Sequence, residues 1–240
     1  MELIIVFFVF TLAGLVGALT GFGVATVAMI LLPFFLPLSL ALPVVAMAST
    51  LATGIIAVRT ATPSIVRKVA PLLFGSAVGV SFGMLQLAQM DEQTLRIILA
   101  AALLAIAVLG LMRKRIHFSP RKRYGLVMGL LGGFFSASFN IHGPLVALYA
   151  AARGEHKREM RGLIAVYMFL TGLFTVTGHA LAGSVTIEVL RSFFLSVPFL
   201  LLGLLLGRRL FHVFEEDTAR RFVYGFVGVA AFLIFVHAVW

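Results

Sequence analysis

Between Leu3 and Val58 the chain carries no aspartate, glutamate, lysine or arginine. As one continuous helix that stretch would measure about 84 Å at 1.5 Å per residue, far more than the roughly 30 Å hydrocarbon core of a bilayer. A run of this kind must cross a membrane, turn and cross again, with its backbone hydrogen bonds satisfied internally. Proline supplies the punctuation. Pro33, Pro37 and Pro43 predict a broken first segment over residues 3–36 and a second helix over 41–58. The first segment is expected to remain as a span, because Met1-Glu2 offers no basic n-region of a secretory signal.

The rest of the composition agrees. Of the 240 residues 61% are hydrophobic and 12% charged, the balance of an integral membrane protein. The net charge of +10 would suggest nucleic acid in a soluble protein, but here the basic residues lie between apolar runs and read as membrane-flanking anchors, so no nucleic-acid partner is expected. The absence of cysteine excludes disulfides and thiolate metal sites. All nine acidic residues fall at segment ends or in loops and there is no HExxH motif, so neither catalytic residues nor a metal or other cofactor is expected.

Further apolar segments over 69–89, 95–112, 124–152, 162–182, 189–210 and 220–239 bring the expected total to eight. They fall into two repeats, 1–112 and 124–240, around a basic linker, 113–123. Adding 119 to Gly14-Leu-Val-Gly17-Ala-Leu-Thr20-Gly21-Phe-Gly23 superimposes it on Gly133-Phe-Phe-Ser136-Ala-Ser138-Phe-Asn140-Ile-His142, which continues into Gly143-Pro144. Gly21 meets Asn140, and Gly23 meets His142. Further along, an offset of 124 places Gly79 and Gly83 on Gly203 and Gly207, and Asp91-Glu-Gln-Thr94-Leu-Arg96 on Glu215-Glu-Asp-Thr218-Ala-Arg220. The acidic pair also suits a helix N-cap. The expected fold is thus an all-α membrane protein of about eight transmembrane helices in two repeats, the first helix of each broken or re-entrant, with parallel and inverted repeats both open. Paired glycine interruptions in corresponding halves point to a transporter's binding site, because unwound backbone at membrane depth is tolerated only inside protein or beside a watery cavity.

These features together resemble the sulfite exporter TauE/SafE family of bacterial membrane permeases: the two glycine-rich first segments, the Pro71–Gly83 stretch, the Gly203–Gly207 ridge and the repeated acidic-Thr-x-Arg turn. The resemblance spans nearly the whole chain. It implies an inner-membrane permease that moves small sulfur-containing anions, such as sulfite, sulfoacetate or other organosulfonates, generally outward. It nominates Gly21, Gly23, Asn140, His142, Gly143 and Pro144 as site residues. Where family members commonly carry further glycines, this chain has Val24, Ala25, Ala137, Asn140 and His142.

An anion inside a membrane needs donors. Half-helix N-termini provide free N–H groups, and Thr20, Thr26, Ser136, Ser138 and Asn140 add neutral ones without a permanent buried cation. His142 and His179 are the histidines well inside expected spans; His142 is the candidate for proton coupling, and His179 suits interfacial anchoring. Arg59 and Arg161 flank the second helix of each half, and Arg161 is the stronger candidate for substrate contact. The resulting expectation is a secondary transporter with alternating access, probing a small anion within a lipid bilayer; a passive anion channel, the same fold serving another anion, and an importer are the alternatives. A homo-oligomer is left open. The basic linker favours a cytoplasmic location for itself and, with eight crossings, for both termini.

Overall fold

The computed structural model describes residues 2–21, 23–111, 122–153 and 157–210, with the isolated positions 228, 231, 232 and 236. Most of the basic linker, the Glu215–Arg220 turn and nearly all of the 220–239 segment lie outside the described residues. Among the described residues every regular element is a helix: α1 (Glu2–Thr20), α2 (Gly23–Leu31) with a 3-10 turn at Leu32–Phe34, α3 (Leu38–Thr60), α4 (Pro63–Gln89), α5 (Glu92–Leu111), α6 (Lys122–Phe139), α7 (Gly143–Ala152), α8 (Lys157–Leu181) and α9 (Ile187–Leu210). The four helices α3, α4, α8 and α9 contain apolar stretches long enough to cross a bilayer, and the shorter apolar helices α1, α2 and α6 pack against them. This is an all-α membrane protein.

The two expected breaks are helical hairpins. α1 closes on Gly21, whose φ is +85° and whose amide bonds the Gly17 carbonyl at 2.8 Å. The chain then reverses, and Val24 at the start of α2 lies directly against Gly17, a contact that a side chain at 17 would obstruct. α6 closes on Asn140, whose φ is +57°. The amides of Asn140 and Ile141 return to the carbonyls of Ser136 and Phe135, at 2.9 and 3.1 Å, the terminal bonding of a helix ended by a left-handed residue. From there α7 doubles back along α6 until the Tyr149 hydroxyl reaches Gly125. Prolines behave less uniformly. Pro37 caps α3 and Pro33 opens the 3-10 turn, whereas Pro43 lies inside α3, which extends over 38–60 rather than the expected 41–58. So near the helix start, its missing N–H costs one bond and does not end the helix.

Two seams of glycine join the hairpins to distant helices. α4 lies along α6, so close that Gly79 faces the Leu130 carbonyl and the Phe134 amide, while Gly83 faces Phe134 and Ala137. α9 lies along α1 in the same manner, with Gly203 against the Thr11 carbonyl and the Leu15 amide, and Gly207 against Leu15 and Ala18. Both pairs run parallel. In lipid no hydrophobic force draws helices together, and backbone approach of this kind supplies the van der Waals contact instead. The other face of α4 carries exposed Phe74, Val78 and Phe82 at four-residue spacing, as a lipid-facing stripe should. Between the seams α3 and α8 pack antiparallel, Thr50 against Gly172, Gly54 against Phe169 and Thr60 against Gly162. Within α3 the hydroxyls of Thr50 and Thr53 bond back to the Ala46 and Ser49 carbonyls, at 2.6 and 2.8 Å.

Helix directions assign the bundle two ends. α3, α5 and α9 finish at one end, where α4, α6 and α8 begin; every described lysine and arginine except Arg96 and Arg191 belongs to it. The linker attaches at this basic end. α1 starts at the other, because it runs parallel to α9. The start of α1 and the linker thus lie at opposite ends of the bundle, because the chain reverses within the first broken segment. At the opposite end Asp91 caps α5, accepting from the Thr94 amide and hydroxyl at 3.0 and 2.7 Å, which holds its carboxyl below the usual carboxylate range. Glu92 receives the Leu38 amide at the start of α3 and pairs with Arg96 at 2.7 Å, and Arg96 also donates to the Pro33 carbonyl.

Candidate functional site

At the tip of the second hairpin, a closed helix end meets an open one. Asn140 terminates α6, and two residues later the His142 carbonyl accepts from the Val146 amide at 3.2 Å, making His142 the N-cap of α7. Gly143 and Pro144 form the first turn of that helix, where proline's missing N–H costs nothing and glycine leaves the backbone approachable. The positive end of α7 thus lies beside the His142 ring. His142 is 2% exposed, and neither ring nitrogen meets hydrogen-bond geometry with a partner among the described residues, although the Met168 backbone acts on the ring. Its ring meets the edge of Tyr167 with centroids 6.0 Å apart.

The surrounding polar groups are mostly committed. The Tyr167 and Ser76 hydroxyls are 2.8 Å apart, and Ser76 donates to the Gly129 carbonyl at 3.0 Å. Ser136 pairs with Thr175 at 2.7 Å, and Ser138 donates to the Gln86 side chain at 3.2 Å. The Asn140 amide donates to the Leu42 carbonyl of α3 at 2.9 Å. Ser136, Ser138 and Asn140 therefore tie the hairpin tip to α8, α4 and α3, whereas the buried His142 ring and Thr171 hydroxyl have no hydrogen-bond partner among the described residues.

Gly21, Gly23 and Arg161 lie elsewhere. Arg161, in the second turn of α8, donates to the Ala18 carbonyl at 3.0 Å, and its side chain passes 3.8 Å from where a Gly21 Cβ would be. A guanidinium on the last carbonyls of α1 complements the negative end of that helix, and Gly23 opens α2 alongside. Arg208, at the end of α9, is near enough for its charge to act on Arg161. The Thr20 side chain lies outside the described residues, and Thr26 is buried in α2.

The two hairpin tips do not converge. One touches α3 at Leu42 and the other touches α8 beside Gly162, which faces Thr60; along α3 those levels are about 27 Å apart at 1.5 Å per residue. Inspection of the sequence missed Tyr167, Ser76 and Thr175. A signal existed for one of them, since Tyr167 is the single tyrosine of the expected 162–182 segment. No three histidine or carboxylate groups among the described residues approach closely enough to hold a metal.

No curated protein and no solved structure matches the chain. A family comparison does, over residues 6–234, and the family is described as sulfite exporter TauE/SafE. On a match of that extent, carried by an all-helical apolar fold, this chain belongs to the sulfite exporter TauE/SafE family of membrane transporters for sulfur-containing anions.

Proposed function

We propose that the protein is a proton-coupled secondary transporter that exports sulfite or a sulfoacetate-like organosulfonate across the bacterial inner membrane. The observation that carries this reading is His142: a fully buried imidazole with unspent hydrogen-bonding capacity, placed at the N-terminus of a half-helix. Free N–H groups, a helix dipole and an imidazole donor hold an oxyanion without a permanent cation, so the empty site carries no uncompensated charge. Gly143 and Pro144 shape its approach. Gly21, Gly23 and Arg161 form the corresponding anion station at the other hairpin tip, with Thr20, Ser136, Ser138 and Asn140 as the neutral polar residues around the two.

The same proposal treats 1–112 and 124–240 as inverted repeats. Support comes from the left-handed residues Gly21 and Asn140 at corresponding hairpin tips, and from the seams, where Gly79 and Gly203 meet Leu130 and Thr11, residues that differ by the same 119 as the tips. The antiparallel α3–α8 pair supplies an axis about which one repeat rocks against the other. The concentration of basic residues at one end favours that end as cytoplasmic, which places the N-terminus of α1 on the outer face.

Binding tests the reading first. A ligand at 100 times its Kd stabilises the folded state by about 2.7 kcal/mol. Detergent-purified protein is expected to melt higher with sulfite or sulfoacetate than with sulfate, taurine, isethionate or a carboxylate control, and His142→Gln and Asn140→Leu are expected to lose the selective shift. A shift with none of the sulfur anions would sink it.

A further inference from the structure

A second buried histidine lies away from both hairpin tips. His179, in the last turn of α8, is 1% exposed, and neither of its ring nitrogens has a hydrogen-bond partner among the described residues. It lines a cavity of about 510 Å³ at the end of the bundle opposite the basic one. The first turns of α3, α5 and α9 and the last turns of α4 and α8 enclose this space. Apolar side chains such as Met84, Leu87 and Leu95 make most of its wall, and Ser39 and Ser184 contribute hydroxyls. The ionisable groups facing His179 across it are Glu92 of α5 and Glu188 of α9; α3 and α4 bring none. Both glutamates are exposed while His179 is buried, so the cavity leads from carboxylates at its mouth to an imidazole at its floor.

The charges around this cavity favour a cation. His179 sits in the last turn of α8, at the negative end of that helix's dipole, a position that favours a positive charge. Glu92 is already paired with Arg96, which leaves the Glu188 carboxylate as counter-charge. A metal ion would require several oxygen or nitrogen ligands in one place, and the described residues gather no such cluster. A proton requires only the lone pair of one ring nitrogen.

We propose that this cavity is a proton vestibule and that His179, not His142, takes up the coupling proton. The inference rests on the transporter reading above and divides its labour: His142 meets the anion and His179 meets the proton. The unprotonated ring nitrogen accepts a proton from hydronium entering the cavity, whose O–H bond breaks to release water, giving an imidazolium balanced by Glu188 and the α8 terminus. The proton leaves by the reverse transfer once helix movement changes the face to which His179 is open. The vestibule lies at the end assigned to the outer face, the side from which an energised membrane supplies protons.

The test uses the full-length protein in liposomes, with sulfite as probe and an imposed pH gradient. Wild type is expected to accelerate at least tenfold with the gradient. His179→Gln is expected to lose that response while sulfite–sulfite exchange and the sulfite-induced melting shift persist, whereas His142→Gln loses the exchange and the melting shift. Full gradient stimulation in His179→Gln overturns the proposal, as does a sodium requirement that the same variant abolishes. Wild type that neither exchanges nor binds sulfite counts against the transporter reading instead. A readout independent of transport is carbethoxylation of wild-type His179 by diethyl pyrocarbonate, followed by mass spectrometry. Modification that falls as the pH is lowered is expected, because only the unprotonated ring reacts. An unmodified His179 at every pH would show that no water reaches it, and the vestibule would not exist.

Discussion

Asn140 performs two tasks that a mutation can separate. Its backbone occupies the left-handed region that closes α6, and its side-chain amide reaches across to the Leu42 carbonyl of α3. Glycine accepts the backbone and deletes the reach, so Asn140→Gly is expected to cost about 1 kcal/mol, the ordinary net value of one hydrogen bond. Asn140→Val loses both and is expected to cost a further 1–2 kcal/mol or so from left-handed strain. Thermal unfolding in detergent compares the two; equal losses would show that the turn geometry is not limiting. The correspondence of Gly21 with Asn140 was legible in the sequence, because the residues that tolerate positive φ are few and these two share a register. Leu42 was not legible. Its contribution is a carbonyl, which every residue possesses, and only the packing of α3 against the hairpin selects it. The same reason hid the pairing of Ser136 with Thr175 and of Ser138 with Gln86, which fastens two of the expected substrate donors to α8 and α4.

A helix can expose a glycine ridge without declaring its partner. Gly79, Gly83, Gly203 and Gly207 were readable as small-residue ridges and as counterparts of one another, yet nothing in their spacing says that α4 docks on α6 and α9 on α1. The choice depends on which hairpin lies alongside, and that in turn depends on the reversals at Gly21 and Asn140. The contacts make a sharp prediction. A Cβ at Gly79 or Gly203 would collide with the carbonyl of Leu130 or Thr11, and backbone cannot step aside as a flexible side chain does. Gly79→Leu and Gly203→Leu are each expected to abolish the monodisperse peak on size-exclusion chromatography. Gly183→Ala is the contrast, since nothing lies within 4 Å of its Cβ and its φ of +71° leaves only a backbone cost, about 1–2 kcal/mol. A folded Gly79→Leu protein would mean that the seam is looser than its geometry states.

At the scale of the whole molecule, hydrophobicity identified the segments but not the way the two broken ones reverse. A glycine-broken stretch and a hairpin have the same composition, so the side on which the linker lies relative to the N-terminus was not legible. The absence of cysteine makes the resulting orientation straightforward to check, because a single introduced thiol is the only one present. Arg67 and Gln89 are exposed near opposite ends of α4. An impermeant maleimide is expected to label Gln89→Cys in intact cells and Arg67→Cys only after permeabilisation, and the reverse pattern would invert the assignment. The parallel pairing of α1 with α9 also governs how the chain can be made. The ribosome delivers α1 first, and Gly203 and Gly207, which fill its seam, among the last residues described; α4 receives α6 much sooner. During synthesis the first helix to enter the membrane is therefore among the last to find its neighbour, and in the interval lipid or the insertion machinery must occupy the place that α9 will take.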